Sequence, residues 1–176
     1  DLFSFASLIP SDYHVVSLQA PLGLGMGYAW FPIHFEENME RWTSPEEAQH
    51  AIDYVTSFLT YYTEKNDVDA NNITILGFSQ GAMLSYSVGL AHPNVSAIAA
   101  LSGYLDPRLV RFDNLNKTIY VSHGEQDVVV PYAWAAQSVA LLKENGYSPT
   151  WLSYPQGHGV NQDNLNSLMQ WLQEQL

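Results

Sequence analysis

The sequence predicts an α/β fold, a mostly parallel sheet with helices on both faces. Three observations predict it. Short apolar runs rich in β-branched residues, at Ile73–Phe78, Ala97–Gly103, Thr118–Ser122 and Thr150–Tyr154, alternate with stretches of helical spacing. The first run leads straight into Gly77-Phe78-Ser79-Gln80-Gly81, with a helical stretch behind it. An acid and a histidine then follow two later runs, Asp127 after Thr118–Ser122 and His158 after Thr150–Tyr154. In open parallel sheets, sites form beyond the carboxyl ends of the strands.

Taken in order, Asp1 to Leu8 reads as a short helix capped by Asp1, and Tyr13–Leu18 as a strand ended by Ala20-Pro21. Gly23-Leu24-Gly25-Met26-Gly27 is a flexible loop ahead of the apolar Trp30-Phe31-Pro32-Ile33. No Lys-Ser/Thr pair or following helix supports phosphate binding, so a loop that shapes a pocket is expected. Ser44-Pro45-Glu46-Glu47 starts a helix: a capping serine, proline in the first turn, glutamate three residues on. Ala48, Ala51, Ile52, Val55, Phe58, Leu59 and Tyr62 then form one apolar face. After the strand Ile73–Phe78, the helix from Ala82 runs to about His92-Pro93. Tyr132 to Asn145 reads as a helix with Gly146 just past its end. The last helix carries Leu165, Leu168, Met169, Leu172 and Leu176 on one stripe.

The 176 residues suffice for a single domain, 1–176, with a sizeable core. Hydrophobic residues make up 47%, as in a globular chain, and the net charge of −12 disfavours nucleic acid and repels anionic membrane surfaces. There is no cysteine, so disulfides and thiolate metal sites are excluded. No run of eighteen apolar residues suggests membrane insertion, and no basic n-region opens the sequence, so a cytoplasmic location is expected.

Gly-x-Ser-x-Gly between a strand and a helix is a nucleophile elbow, which lifts a strained serine above the sheet. Ser79 is therefore the candidate nucleophile, with Gly77 and Gly81 small where strand and helix backbones pass. A serine hydroxyl needs a base, and a histidine serves when a carboxylate orients its ring. On this scaffold the partners follow the serine as acid, then histidine. Asp127, in His123-Gly124-Glu125-Gln126-Asp127, is the candidate acid; Glu125 is the rival and Asp106 a weaker one. Only His158, in Gly157-His158-Gly159, follows Asp127, and it is the candidate base. His123 is expected to be hydrogen-bonded inside the loop that carries Asp127. His14, His34, His50 and His92 are scattered with no ligand spacing, so no metal is expected.

Together these residues resemble the α/β-hydrolase superfamily, and within it the carboxylesterase/phospholipase group that includes the acyl-protein thioesterases. The likeness covers nearly the whole chain. It rests on Gln19-Ala20-Pro21, Trp30-Phe31-x-Ile33, the elbow, Leu101-Ser102-Gly103-Tyr104-Leu105, His123-Gly124-x-x-Asp127-x-Val129-Val130-Pro131 and Gly157-His158. The resemblance implies cofactor-free hydrolysis of carboxylic esters, with thioesters or lysophospholipids as alternatives. It implies Ser79, Asp127 and His158 as the triad, and the backbone N–H of Gln80 in the oxyanion hole. Leu24, Met26, Trp30, Phe31, Phe78, Tyr104, Leu105 and Val129 are the candidate substrate-binding residues, an apolar set suited to a short or medium acyl chain. A non-catalytic acyl-binding module is the reading outside enzymes.

One departure stands out. The resemblance implies an earlier central strand ending in His-Gly-x-Gly, which supplies the second oxyanion N–H, and this sequence opens at Asp1-Leu2 without it. The fold is thus expected to be N-terminally shortened. Three readings compete: a longer parent chain, a strand exchanged within a homodimer, or direct pairing of Tyr13–Leu18 with Ile73–Phe78. In the last, the Gly23–Gly27 loop would complete the hole.

Overall fold

The computed structural model describes residues 2–25, 27–35, 41–42, 44–113 and 116–176. A four-stranded, wholly parallel sheet organises it: β5 (Ile73–Phe78), β6 (Val95–Leu101), β7 (Thr118–Gly124) and β8 (Thr150–Tyr154), in that spatial order. Ahead of it lie two small antiparallel pairs. In one, β1 (Leu22–Gly23) pairs with β2 (Tyr28–Ala29); in the other, β3 (His34–Phe35) pairs with β4 (Arg41–Trp42). The helices are α1 (Pro45–Lys65), α2 (Gln80–Ala91), α3 (Tyr132–Glu144) and α4 (Gln162–Gln173).

The sheet is covered on both sides, and the side chains of β6 show it by alternation. Ile98 and Ala100 join Tyr86 and Leu90 of α2 and Val139 and Leu142 of α3 in one cluster. Ala97, Ala99 and Leu101 face the other way, onto Leu168, Trp171 and Leu172 of α4. Both faces of such a strand are therefore apolar, and from Ala97 to Leu101 it reads as a continuous run. Helix α2 is buried from Ala82 through Leu90, because α1 packs over the side that the sheet does not touch. Ser44 caps α1 as its spacing requires, its Oγ accepting the Glu47 N–H at 3.4 Å. Asn161 caps α4 in the same way, accepting the Asn164 N–H at 2.9 Å.

Three expectations are corrected. Tyr13–Leu18 is not a strand: among the described residues β5 pairs only with β6, so no pairing of Tyr13–Leu18 with Ile73–Phe78 forms. The segment is held by side chains instead, Tyr13 Oη donating to the Leu172 carbonyl at 2.9 Å and the Tyr62 hydroxyl bonding His14 Nε2 at 2.6 Å. The first residues form a 3-10 turn, Leu2–Phe5, rather than a helix to Leu8, and the proposed cap Asp1 lies outside the described residues. Leu176 falls beyond the end of α4 and is exposed, and Trp171 fills the core position instead. With its outer edge unpaired among the described residues, β5 is half-buried along most of its length, whereas β6 and β7 are almost wholly buried.

The squeeze at the elbow sits at Gly77. A Cβ there would lie 2.1 Å from the Gly81 carbonyl oxygen and 2.5 Å from Ser85 Oγ. A Cβ on Gly81 would meet nothing within 4 Å, so that glycine is not required by close packing. Gly77→Ala must push α2 off β5, a backbone shift at the upper end of the roughly 1–3 kcal/mol that overpacking costs. We expect a large fall in the thermal midpoint for Gly77→Ala and little change for Gly81→Ala, read by circular dichroism. Among the described residues, no helix is long and apolar enough to cross a membrane.

Candidate active site

All four parallel strands end on one side, and each delivers one polar residue there. Ser79 follows β5, Ser102 follows β6, Asp127 follows β7 by three residues, and His158 follows β8 by four. Ser79 occupies φ 56° and ψ −116°, strained for a residue with a side chain. Its N–H is anchored on the Leu101 carbonyl at 2.9 Å, and its carbonyl accepts from Ala82 and Met83 as α2 begins. The strain is held by the sheet on one side and the helix on the other.

Ser79 Oγ lies 3.1 Å from His158 Nε2, and His158 Nδ1 lies 2.7 Å from Asp127 Oδ2. The other carboxylate oxygen, Oδ1, accepts the N–H groups of Val129 at 2.8 Å and Val130 at 2.9 Å. An ionised carboxylate only accepts, so Nδ1 of His158 carries the hydrogen and Nε2 is left as an acceptor facing the serine. His158 packs on the Phe78 ring with centroids 4.8 Å apart. The rivals for the acid point elsewhere. Glu125 accepts from Ser153 Oγ at 2.8 Å, and Asp106 pairs with Arg108 at 2.6 Å.

Two supports of the site are given no role by the sequence reading. Ser102, at φ 49° and fully buried, donates its hydroxyl to the Gly159 carbonyl at 3.2 Å. Gln156 Nε2 donates to the same carbonyl at 2.7 Å, and its Oε1 accepts the Asn161 N–H at 2.8 Å. Together they latch the loop that holds His158. His123 is fully buried, and its Nε2 donates to the Val130 carbonyl at 2.8 Å, bracing the acid's loop as the sequence suggests. Burial holds the His123 pKa below its usual value, against the Val130 hydrogen bond and the charge of Asp127.

Burial alone would raise the pKa of Asp127. The hydrogen bonds from His158, Val130 and Val129 and the nearby His158 charge outweigh it, and the carboxyl sits below its ordinary 3.8. A carboxyl with a depressed folded pKa stabilises the fold above its unfolded pKa. That contribution is lost as the pH falls through the folded value. The stability gap between wild type and Asp127→Asn should therefore be full near neutrality and close below about pH 3.8. Urea unfolding from pH 7 to pH 3 reads this directly.

The apolar candidates are dispersed. Phe78 lies on His158, and Val129 is part-exposed beside the acid. Tyr104 and Leu105 line a cavity of about 490 Å³ with Arg108 and Trp134, between the segment after β6 and α3. Trp30 is half-buried and tied to the elbow through Gln80. Phe31 is corrected from pocket to core: it is 1% exposed and packs with Ala51 and Val55 of α1 and Met83 and Leu84 of α2. Leu24 is 66% exposed at the tip of the β1–β2 hairpin, where its N–H closes on the Gly27 carbonyl at 2.7 Å; Met26 lies outside the described residues. Among the described residues, no hydrogen bond joins that hairpin tip to the elbow.

A parallel sheet with a strained serine at the first turn, and a histidine and acid at later strand ends, defines the α/β-hydrolase fold. The solved carboxylesterase of Bacillus cereus shares it at a TM-score of 0.86 and 18% identity, covering 99% of this chain and 82% of that one. The solved esterase PE8 aligns at a TM-score of 0.77 and 26% identity, over 90% of this chain and 76% of that one. The chain belongs to the phospholipase/carboxylesterase family, whose pattern it matches over residues 13–176. Among curated relatives, it is 29% identical to mouse lysophospholipase-like protein 1, over 86% of this chain and 66% of that protein. It is 36% identical to the acyl-protein thioesterase 1 of Neurospora crassa, over 62% of this chain and 48% of that protein. The matches thus span between about half and two thirds of those two relatives' length.

Proposed function

We propose that this chain is a serine carboxylesterase that hydrolyses short- to medium-chain acyl esters through an acyl-enzyme. The observation that carries the reading is the unbroken line from Ser79 Oγ to His158 Nε2, and from His158 Nδ1 to Asp127 Oδ2. Ser79 attacks the ester carbonyl while His158 Nε2 takes its proton. Asp127 holds the ring in the required tautomer and stabilises the imidazolium. The carbonyl oxygen becomes an oxyanion beside the start of α2, where the Gln80 N–H, with no carbonyl one turn behind it, donates. His158 then protonates the leaving alcohol. Water, activated by the same histidine, releases the acid. No step calls for a cofactor.

A second reading is a thioesterase or lysophospholipase, favoured by what the mouse and Neurospora relatives are called. The same residues serve it, because a thioester and an oxyester share the acyl-enzyme. The test is kcat/KM for matched oxyesters and thioesters from acetyl to palmitoyl. The carboxylesterase reading expects a maximum at octanoyl or shorter among oxyesters. A maximum at the palmitoyl thioester would replace it with the second reading. Binding of acyl ligands with no turnover of any would leave an acyl-binding module.

A further inference from the structure

The side chain of Gln80 does something that its backbone does not. Its Oε1 accepts the Trp30 N–H at 3.0 Å, and its Nε2 donates to the Phe31 carbonyl at 2.9 Å. One amide thus closes on two successive residues, as a neighbouring peptide would, and the donor–acceptor pattern fixes which way round it sits. The two residues lie in a bend after β2 that pairs with no strand among the described residues. Phe31 is driven into the core against Met83 and Leu84 of α2, which anchors the bend from below. Trp30 stays half-buried, its ring 6.5 Å from that of Tyr54 on α1. The bend is therefore pinned to α2 twice, by the Phe31 ring and by the Gln80 amide.

The position of the amide gives this pinning a consequence. Gln80 follows the nucleophile directly, so the Trp30 backbone is held one glutamine side chain and one 3.0 Å hydrogen bond, at most about 8 Å in all, from the N–H beside Ser79. An acyl chain that leaves Ser79 over the start of α2 would run past this bend. We propose that the Gln80 side chain is a positioning residue that fixes Trp30 as a wall of the acyl site and so sets the preferred acyl length. The inference rests on the esterase reading above. It assigns Gln80 two separate duties: its N–H faces the oxyanion and its amide holds the wall.

The test is a double-mutant cycle read as selectivity. Octanoyl and acetyl p-nitrophenyl esters are compared by their kcat/KM ratio in wild type, Gln80→Met, Trp30→Ala and the double variant. Methionine keeps the length and the backbone N–H and removes both hydrogen bonds. We expect Gln80→Met to shift the ratio towards one by about tenfold, the scale of losing pocket contacts worth a methylene or two. In the Trp30→Ala background, Gln80→Met should add no further shift, because the wall it acts through is gone. Should Gln80→Met fail to fold, Gln80→Glu carries the same cycle. It keeps the acceptor for Trp30 and replaces the donor to Phe31 by a carboxylate oxygen, and an acid is welcome in the first turn of a helix.

An equal loss for both esters with a lowered thermal midpoint would show a merely structural glutamine and overturn the proposal. Additive shifts in the cycle, or a wild type with no length preference, would overturn it too. In those cases the esterase reading would stand. A wild type that hydrolyses no ester would overturn that reading, and this inference with it.

Discussion

Alanine in place of Ser79 or of His158 leaves about a millionth of the turnover, and the double variant loses no more than either single one. In the proposed mechanism Ser79 Oγ and His158 Nε2, which lie 3.1 Å apart, make the attack as one unit. Without the base the hydroxyl keeps its proton; without the hydroxyl the base has nothing to activate. Once one is gone, the other contributes nothing further to the attack. What remains above the rate in water comes from the oxyanion donor and from binding. Initial rates on a saturating short-chain ester, over four proteins of matched purity and thermal midpoint, check this. Multiplying losses in the double variant would mean that the two side chains act independently.

Asp127→Asn gives the second large effect, a fall of about ten thousandfold in kcat with the fold intact at neutral pH. The reason lies in how the carboxylate is held. Oδ1 accepts two backbone N–H groups, from Val129 and Val130. An asparagine must leave its carbonyl oxygen in that place, since an NH2 group there would face two donors. Its NH2 then turns to His158 and donates to Nδ1. The ring responds by carrying its hydrogen on Nε2, where it faces Ser79 and cannot take a proton. The variant should still bind substrate with a KM close to that of wild type. A loss of only a fewfold would mean that Asp127 does not set the tautomer.

Much of this architecture was legible in the chain, for reasons that differ by element. Helix α1 announces itself through Ser44, Pro45 and Glu47, and its buried face follows the spacing of Ala48, Ala51, Ile52 and Val55. The strands β6 to β8 read as short, mostly apolar runs because side chains on both of their faces join the core. Tyr13–Leu18 is also rich in β-branched and aromatic residues but has no partner strand among the described residues, and composition cannot say whether an edge is available. The four short strands β1 to β4, two residues each, carry too little pattern to be seen.

At the site, the order of Ser79, Asp127 and His158 along the chain was enough to single them out, and the strand ends bring them side by side. The supports were not legible, because most act through backbone or across long separations. The N–H groups of Val129 and Val130 belong to every residue type. Ser102 reaches Gly159 across 57 positions, and Gln80 reaches Trp30 across 50. Phe31 was misread as a pocket residue because core and pocket draw on the same side chains.

The most direct test of the central claim is intact mass after exposure to a fluorophosphonate probe, which traps an activated serine covalently. We expect one adduct on the folded chain, mapped to Ser79, absent from Ser79→Ala and strongly slowed in His158→Ala. A folded chain that takes no adduct, or one that is still labelled after Ser79→Ala, would contradict it.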